Sequence, residues 1–217
     1  MAKVKAVIFD MDGTVADTLA SIAGFGNAAL KAHGYPEIET ERYRRLVGNG
    51  ADVLMRRMLD AVSAQPYTEA DVQALRATYD ALYESDPTRL VAPYPRIPAL
   101  LRDVRDDGVK TAVLSNKPDN MTRFIAGALF PGLFDIVHGQ RAGVPKKPDP
   151  AAVFEICEAL GVRPAECLYV GDSGVDMQTG ANAGMPTAGV TWGFRGADEL
   201  RQNGYSVQEV MTADFYH

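Results

Sequence analysis

Apolar residues fill most of positions 4–9 and stop abruptly at Asp10, a pattern that predicts a short buried strand. Asp12-Gly13-Thr14 breaks the run. Asp17 or Thr18 can then cap a helix that continues to about His33, where Gly34 ends it. From there to about Ser85 the periodicity is helical almost throughout. A short helix is expected over 42–47, the Gly48-Asn49-Gly50 turn interrupts it, and a second helix follows over 51–62. A third opens at Thr68-Glu69-Ala70-Asp71 and keeps Val72, Leu75, Tyr79 and Leu82 on one face. Residues 86–98 hold Pro87, Pro93, Pro95 and Pro98 and read as a linker. Beyond it helices and strands alternate. Helices are expected over 99–107, 118–129, 150–160 and 173–183, with strands over 109–114, 134–137, 167–170 and 187–190.

Strands separated by helices predict an α/β fold, a Rossmann-like parallel sheet covered by helices on both faces. One strand opens the chain and the rest follow the linker, so the helical block between them reads as an inserted, small all-helical domain. The expected division is an α/β core over residues 1–15 and 87–217 and a helical cap over 16–86. Hydrophobic residues make up 47% of the 217 positions, enough for a full core. A formal charge of −6 argues against nucleic acid as partner and requires positive charge to be concentrated locally if an anion is handled. Cys157 and Cys167 have no metal-ligand spacing and are expected as free thiols. With no apolar stretch of membrane-spanning length, the expectation is a cytoplasmic protein with no membrane partner, monomeric or homodimeric.

Four short motifs carry candidate chemistry, each at a predicted strand end, where parallel sheets place their sites. Asp10-Met11-Asp12-Gly13-Thr14 sets two acids across a turn, although plain strand-to-loop turns also favour Asp and Gly. Ser115-Asn116 offers a hydroxyl and amides to a phosphate oxygen, or is an ordinary turn. Lys146-Lys147-Pro148 can aim an ammonium into the same crevice, or is a solvated pair. Gly171-Asp172-Ser173-Gly174-Val175-Asp176 sets two acids around a helix start, which is also a common capping arrangement. Each bland reading holds alone; the four together, in this order, do not arise by accident.

At these residues the sequence resembles the haloacid dehalogenase-like hydrolase superfamily over nearly its whole length, and within it the phosphoglycolate phosphatase-like branch. Residues 47–54 resemble the cap segment of that branch, and Thr191-Trp192-Gly193-Phe194 its late WG motif. The resemblance implies a magnesium-dependent phosphatase of small phosphate esters. It implies Asp10 as nucleophile, forming an aspartyl-phosphate, and Asp12 as general acid and then base. Mg²⁺ would be held by the Asp10 carboxylate, the Asp12 carbonyl and Asp172, with Asp176 either beside them or a partner for Lys147. Ser115 and Asn116 would hold phosphate oxygens and Lys147 would neutralise charge. The 48–50 turn is a candidate substrate-facing loop, with Asn49 over the site; a plain interhelical turn is the equal alternative. Arg42, Arg44, Arg45, Arg56 and Arg57 are read mainly as solvated charges, one of which could meet an anionic end of the substrate.

Rival readings share the motifs. Phosphosugar mutases of the same fold usually carry Glu-Asp where this chain has Gly171-Asp172 and a basic cap residue where it has Ala51. The motifs also admit an inorganic pyrophosphatase or nucleotidase of the branch. A dehalogenase would lack Asp12. A phospho-accepting signalling module would use Asp, Lys and a hydroxyl near Mg²⁺, but without a helical insertion.

Overall fold

A computed structural model describes residues 4–202 and 209–211. At its centre is a parallel sheet of β1 (Ala6–Phe9), β4 (Lys110–Pro118), β5 (Ile136–Gln140), β6 (Cys167–Gly171), β7 (Thr187–Val190) and β8 (Glu209–Met211). Their order across the sheet is β5-β4-β1-β6-β7-β8. The first strand lies in the middle, with Ala6 opposite both Lys110 of β4 and Cys167 of β6. All four residues of β1 are buried, as a strand covered on both faces must be. Alternation then sorts its side chains: Val7 and Phe9 face one apolar cluster, and Ala6 and Ile8 the other. Helices α5 (Ile97–Asp106) and α6 (Asp119–Leu129) supply residues to the first cluster, and α7 (Ala151–Leu160) to the second. Cys157 and Cys167 sit side by side in the second cluster, Sγ to Sγ 3.9 Å, unbridged.

Two short strands, β2 (Ala16–Asp17) and β3 (Ala92–Pro93), pair antiparallel and frame the helical segment between them. That segment comprises α1 (Leu19–Ala32), α2 (Tyr43–Leu46), α3 (Ala51–Val62) and α4 (Glu69–Ser85). Helix α4 begins at a reciprocal capping box, Thr68 with Asp71, as its first four residues lead one to expect. Its face Val72, Leu75, Tyr79 and Tyr83 is buried, and Met55, Met58 and Leu59 of α3 belong to the same cluster. Met11, Val15, Leu19 and Ile22 also join that cluster, so one apolar mass runs from the sheet into the helical segment.

Three boundaries differ from the sequence expectation. Helix α5 starts at Ile97, inside the proline-rich stretch, because Pro98 is tolerated in a first turn and Arg96 breaks the chain into the left-handed region at φ 62°. Strand β4 runs on to Pro118 with a register shift after Leu114, so Ser115 and Asn116 lie in the strand's irregular end. Strand β5 lies two to three residues later than the apolar run 134–137 suggests. There Phe134 packs edge-on against Phe9 and Phe130 and serves the core from outside the strand.

Leu75 is 1% exposed between the helices of the segment. Leu75→Ala should destabilise the protein by about 2–5 kcal/mol, the usual cost of an unrelaxed cavity, measured by urea unfolding.

Candidate active site

The carboxyl ends of β1, β4 and β6 converge beneath the helical segment, and the residues just past them line one cavity. Asp10, Asp12, Ser115, Asn116, Lys147 and Asp172 all contribute to its wall. Val47, Gly48, Gly50, Leu54, Tyr79 and Tyr83 contribute from the helical segment.

Asp10 follows β1 directly, and its N–H still donates to Val170 O at 2.9 Å, so the strand ladder fixes its backbone. Its Oδ1 accepts from Met11 N at 2.7 Å and from Lys147 Nζ at 2.9 Å. Lys147 Nζ also reaches Asp176 Oδ1 at 2.8 Å. Lys147 is held by Asn116, whose side-chain oxygen accepts from Lys147 N at 2.9 Å and whose Nδ2 donates to Lys147 O at 3.1 Å. The same Nδ2 lies 3.2 Å from Gly48 O of the helical segment. The Asn116 side chain is thus committed to placing Lys147 and the 48–50 turn.

Asp172 ends β6. Its Oδ1 accepts from Thr14 Oγ1 at 3.3 Å and its Oδ2 from Phe194 N at 2.6 Å. Two backbones press against it: a Cβ on Gly13 would lie 2.5 Å from Asp172 Oδ2, and one on Gly193 would lie 2.4 Å from Asp172 Cβ. Gly13 also has φ 87°, so glycine is required there twice over. Asp176, in the first turn of α8 (Gly174–Asn182), is fully buried. Its Oδ2 accepts from Ser173 N and Oγ in a capping box, while Oδ1 faces Lys147. The capping role and the site role therefore belong to one side chain.

Asp10, Asp172 and Asp176 bring ligand oxygens within 4.8 Å of one another, all buried. Three carboxylates against the single ammonium of Lys147 leave a surplus of two negative charges, the charge of one divalent cation. Their hard oxygen donors suit Mg²⁺. Without a cation, burial raises the Asp10 carboxyl well above the ordinary range despite Lys147, with Asp176 and Asp172 adding repulsion. Burial, then repulsion from Asp176, raises Asp172 to about 7. Lys147 stays charged: burial opposes it, but Asp10 and Asp176 outweigh burial and hold it well above a free lysine.

Asp12 stands apart from this cluster. Its two oxygens each lie 3.2 Å from Lys117 Nζ, and that ammonium sits 4.6 Å above the Tyr83 ring. Burial disfavours the Lys117 charge, yet Asp12 and Tyr83 more than restore it. Ser115 is 3% exposed, with Oγ accepting from Lys117 N at 3.3 Å.

Six of the eight sequence candidates share the cavity wall, and Asp176 lies beneath it through Lys147. Asn49 does not reach it. Its Oδ1 accepts from Arg57 Nη2 at 2.9 Å, because Gly48 and Gly50, both at positive φ, turn their backbones inward and its side chain away. Arg56 pairs with Glu69 across the outside, consistent with a solvated charge. Lys117, Arg195 and the Phe194 amide carry no motif signal of their own in the sequence. Lys117 directly follows Ser115-Asn116, and the other two adjoin or belong to the WG motif, so position beside a motif was the available signal.

The raised carboxyls make metal-free stability pH-dependent. An acid with a raised folded pKa holds extra protons in the native state, so stability falls as pH climbs from its unfolded to its folded value. In chelator, the melting temperature should drop between about pH 4 and 7, the window set by Asp172. Calorimetry across that range checks it; a flat or rising profile would contradict the buried acid cluster.

With the geometry in place, its relatives are informative. The sequence pattern of the haloacid dehalogenase-like hydrolases matches residues 4–184. A phosphoglycolate phosphatase of Pseudomonas putida is 37% identical over 198 residues, covering 87% of this chain and 70% of its own. One of Psychrobacter arcticus is 33% identical over 204 residues, covering 90% and 87%. An N-acetylmuramic acid 6-phosphate phosphatase of Pseudomonas aeruginosa is 32% identical over 200 residues, covering 88% and 84%. The crystal structure of a Lactobacillus delbrueckii protein, provisionally named a phosphoglycolate phosphatase, superposes with a TM-score of 0.92 at 32% identity, over 99% of this chain and 97% of that one. The parallel sheet, the clustered aspartates and these relatives agree: the chain belongs to the haloacid dehalogenase-like hydrolases, in their phosphoglycolate phosphatase-like branch, and is a phosphatase.

Proposed function

We propose that the protein is a Mg²⁺-dependent hydrolase of small phosphomonoesters that works through an aspartyl-phosphate on Asp10, with 2-phosphoglycolate as the leading candidate substrate. The observation that carries this reading is the buried set of Asp10, Asp172 and Asp176 around Lys147, opening into a cavity that Asp12 and Ser115 also line. Asp10 and Asp172 would hold the ion together with the Asp12 carbonyl. Asp176, the acid that shares the Lys147 ammonium with Asp10, would position that lysine. When bound, Mg²⁺ supplies charge neutralisation for the phosphoryl group.

The chain's own residues divide the work. Lys147 and Met11 N–H grip Asp10 Oδ1, which fixes the carboxylate and leaves Oδ2 to attack phosphorus in line. The Ser115 hydroxyl, on the cavity wall, would hold a phosphate oxygen. Asp12 gives a proton to the departing alcohol oxygen as its bond to phosphorus breaks, so the phosphoryl group passes to Asp10. Asp12 then takes a proton from water, and that water's oxygen attacks the phosphorus of the acyl phosphate, releasing phosphate and restoring Asp10. The helical segment acts as a cap: Tyr79, Tyr83, Leu54 and Val47 form an apolar roof that keeps bulk water from the acyl phosphate. Lys117, paired to both Asp12 oxygens, orients that carboxylate.

Hydrolysis is favoured over phosphosugar transfer by Gly171. A Cβ there would lie 2.2 Å from Asp176 Cβ, so the glutamate that mutases carry has no room. The relatives in Pseudomonas putida and Psychrobacter arcticus are phosphoglycolate phosphatases by name, which supports phosphoglycolate as the substrate.

Phosphate release from a panel of phosphorylated metabolites tests the reading. Activity should vanish on chelation and return with Mg²⁺, and Asp10→Asn should abolish it with the melting temperature of the loaded protein largely kept. Near-wild-type turnover by that variant would refute a covalent Asp10 intermediate. Asp12→Asn should retain Mg²⁺ affinity and slow alkyl ester turnover by roughly 10²–10⁴-fold. With p-nitrophenyl phosphate, whose leaving group needs little protonation, it should give a burst followed by a slow steady state. Equal losses on both substrates with no burst would remove Asp12 from proton transfer.

A further inference from the structure

Arg195 lies just past the WG motif and lines the same cavity as Asp10, Asp12 and Lys147. Its guanidinium is only partly used. Nη2 donates to Val47 O of the cap at 2.8 Å, and Nε meets Glu199 Oε1 at 3.2 Å. Nη1 is buried and has no hydrogen-bond partner among the described residues. A buried donor of a charged group left unmade is costly, and native structures rarely keep one without a use.

Arg57 approaches from the cap, and its own bonds go to Leu46 O and Asn49 Oδ1, both neutral. Repulsion from Arg195, after burial, lowers the Arg57 pKa, so the two guanidiniums feel each other directly. Two cations thus converge on the cap turn with neutral acceptors between them and Glu199 as the acid paired to Arg195. Gly48 lies directly beside this guanidinium: a Cβ on it would meet Arg195 Nη2 at 3.7 Å, ordinary van der Waals contact. The phosphate end of the cavity has its own positive charge in Lys147. Arg195 supplies a second positive pole, attached to a different loop.

We infer that Arg195 is the specificity residue for a second anionic group on the substrate, so that the preferred substrates are short phosphomonoesters bearing a carboxylate or another phosphate. This rests on the phosphomonoesterase reading above and deepens it. The guanidinium binds the second anion through its unused edge while still holding Val47 O, so the cap closes best over a doubly anionic ester. A neutral ester leaves Nη1 unsatisfied and gains nothing from that edge.

The test uses the Mg²⁺-loaded full chain and Arg195→Gln, with Arg195→Lys as the charge-retaining control. kcat/KM is measured on 2-phosphoglycolate, ethylene glycol bisphosphate and ethyl phosphate, which lacks the second anion. Wild type should prefer the first two, and whichever is cleaved faster identifies the group as carboxylate or phosphate. Arg195→Gln should lose roughly 10- to 100-fold on the anionic esters, the worth of a charged hydrogen bond, and little on ethyl phosphate. Arg195→Lys should fall between. Equal losses on all three esters would reduce Arg195 to a clasp for Val47 and overturn the inference, as would a wild type indifferent to the second anion. Calorimetric binding of 3-phosphonopropionate against propylphosphonate gives a readout that needs no turnover. If wild type cleaves no ester, the hydrolase reading fails, and this binding difference, kept by wild type and lost by Arg195→Gln, still decides the role of Arg195.

Discussion

The interaction on which the site depends is the ammonium of Lys147 bonded at once to Asp10 and Asp176. It lies 2.9 Å from one and 2.8 Å from the other, with all three groups buried. A buried carboxylate without a partner costs several kcal/mol, and two of them close together cost more. Lys147 makes their proximity tolerable without cancelling it, since Asp172 adds a third negative charge to the group. Much of the local architecture serves that lysine. Asn116 brackets its backbone on both sides, and Asp176 is steadied by Ser173 so that one oxygen always faces it. Removing the lysine would leave a set of acids that burial forbids, and removing Asp176 would leave Lys147 free to swing over Asp10.

Backbone contact carries the same constraint outward. Asp172 is wedged between Gly13 and Gly193, where any side chain would collide with it. The peptide joining Gly193 to Phe194 does two jobs. Its N–H donates to Asp172 Oδ2 at 2.6 Å, and its carbonyl accepts from Arg44 Nη1 at 2.7 Å. Arg44 belongs to the helical segment, so one rigid peptide plane ties the position of that segment to an acid of the cluster. Trp192 fastens the loop from its other end, its Nε1 donating to Thr14 O at 3.0 Å while Thr14 Oγ1 touches Asp172. Apolar continuity through Met11, Val15 and Leu19 reinforces these polar ties, because the segment and the sheet share a core.

These particulars explain what the sequence could disclose. The order of helices and strands was legible because parallel strands buried on both faces must be nearly all apolar, as β1 is. The acids and Lys147 were legible because motif residues at strand ends fall together once the strands are parallel neighbours. Asn49 misled because a polar residue between two glycines looks poised for a ligand; the direction in which such a turn points is set by φ values that spacing does not encode. Lys117 was not legible because its partners, Asp12 and the Tyr83 ring, are distant in sequence and meet it only in the fold. The boundary of β4 shifted for a related reason, the strand's irregular end being stabilised by pairing with Gln140 rather than by its own apolar pattern.

What the sequence could not supply was the charge balance of the cavity, which depends on pairs distant in the chain. Lys147 is spent on Asp10 and Asp176, and Lys117 on Asp12, a partner 105 positions away. Both lysines are therefore internally committed, and neither has charge left over for a second part of a substrate. Arg195 differs in kind. Its fork can hold Val47 O and Glu199 and still present a donor, which a lysine's compact ammonium does less well in fixed geometry. The division is physically sensible: point charges hold the buried carboxylates in place, while the planar cation stands where the helical segment meets the sheet's loops and can read the shape and charge of a bound ester. An acidic protein can handle an anion on these terms because Lys117, Lys147 and Arg195 gather positive charge along the wall of one cavity.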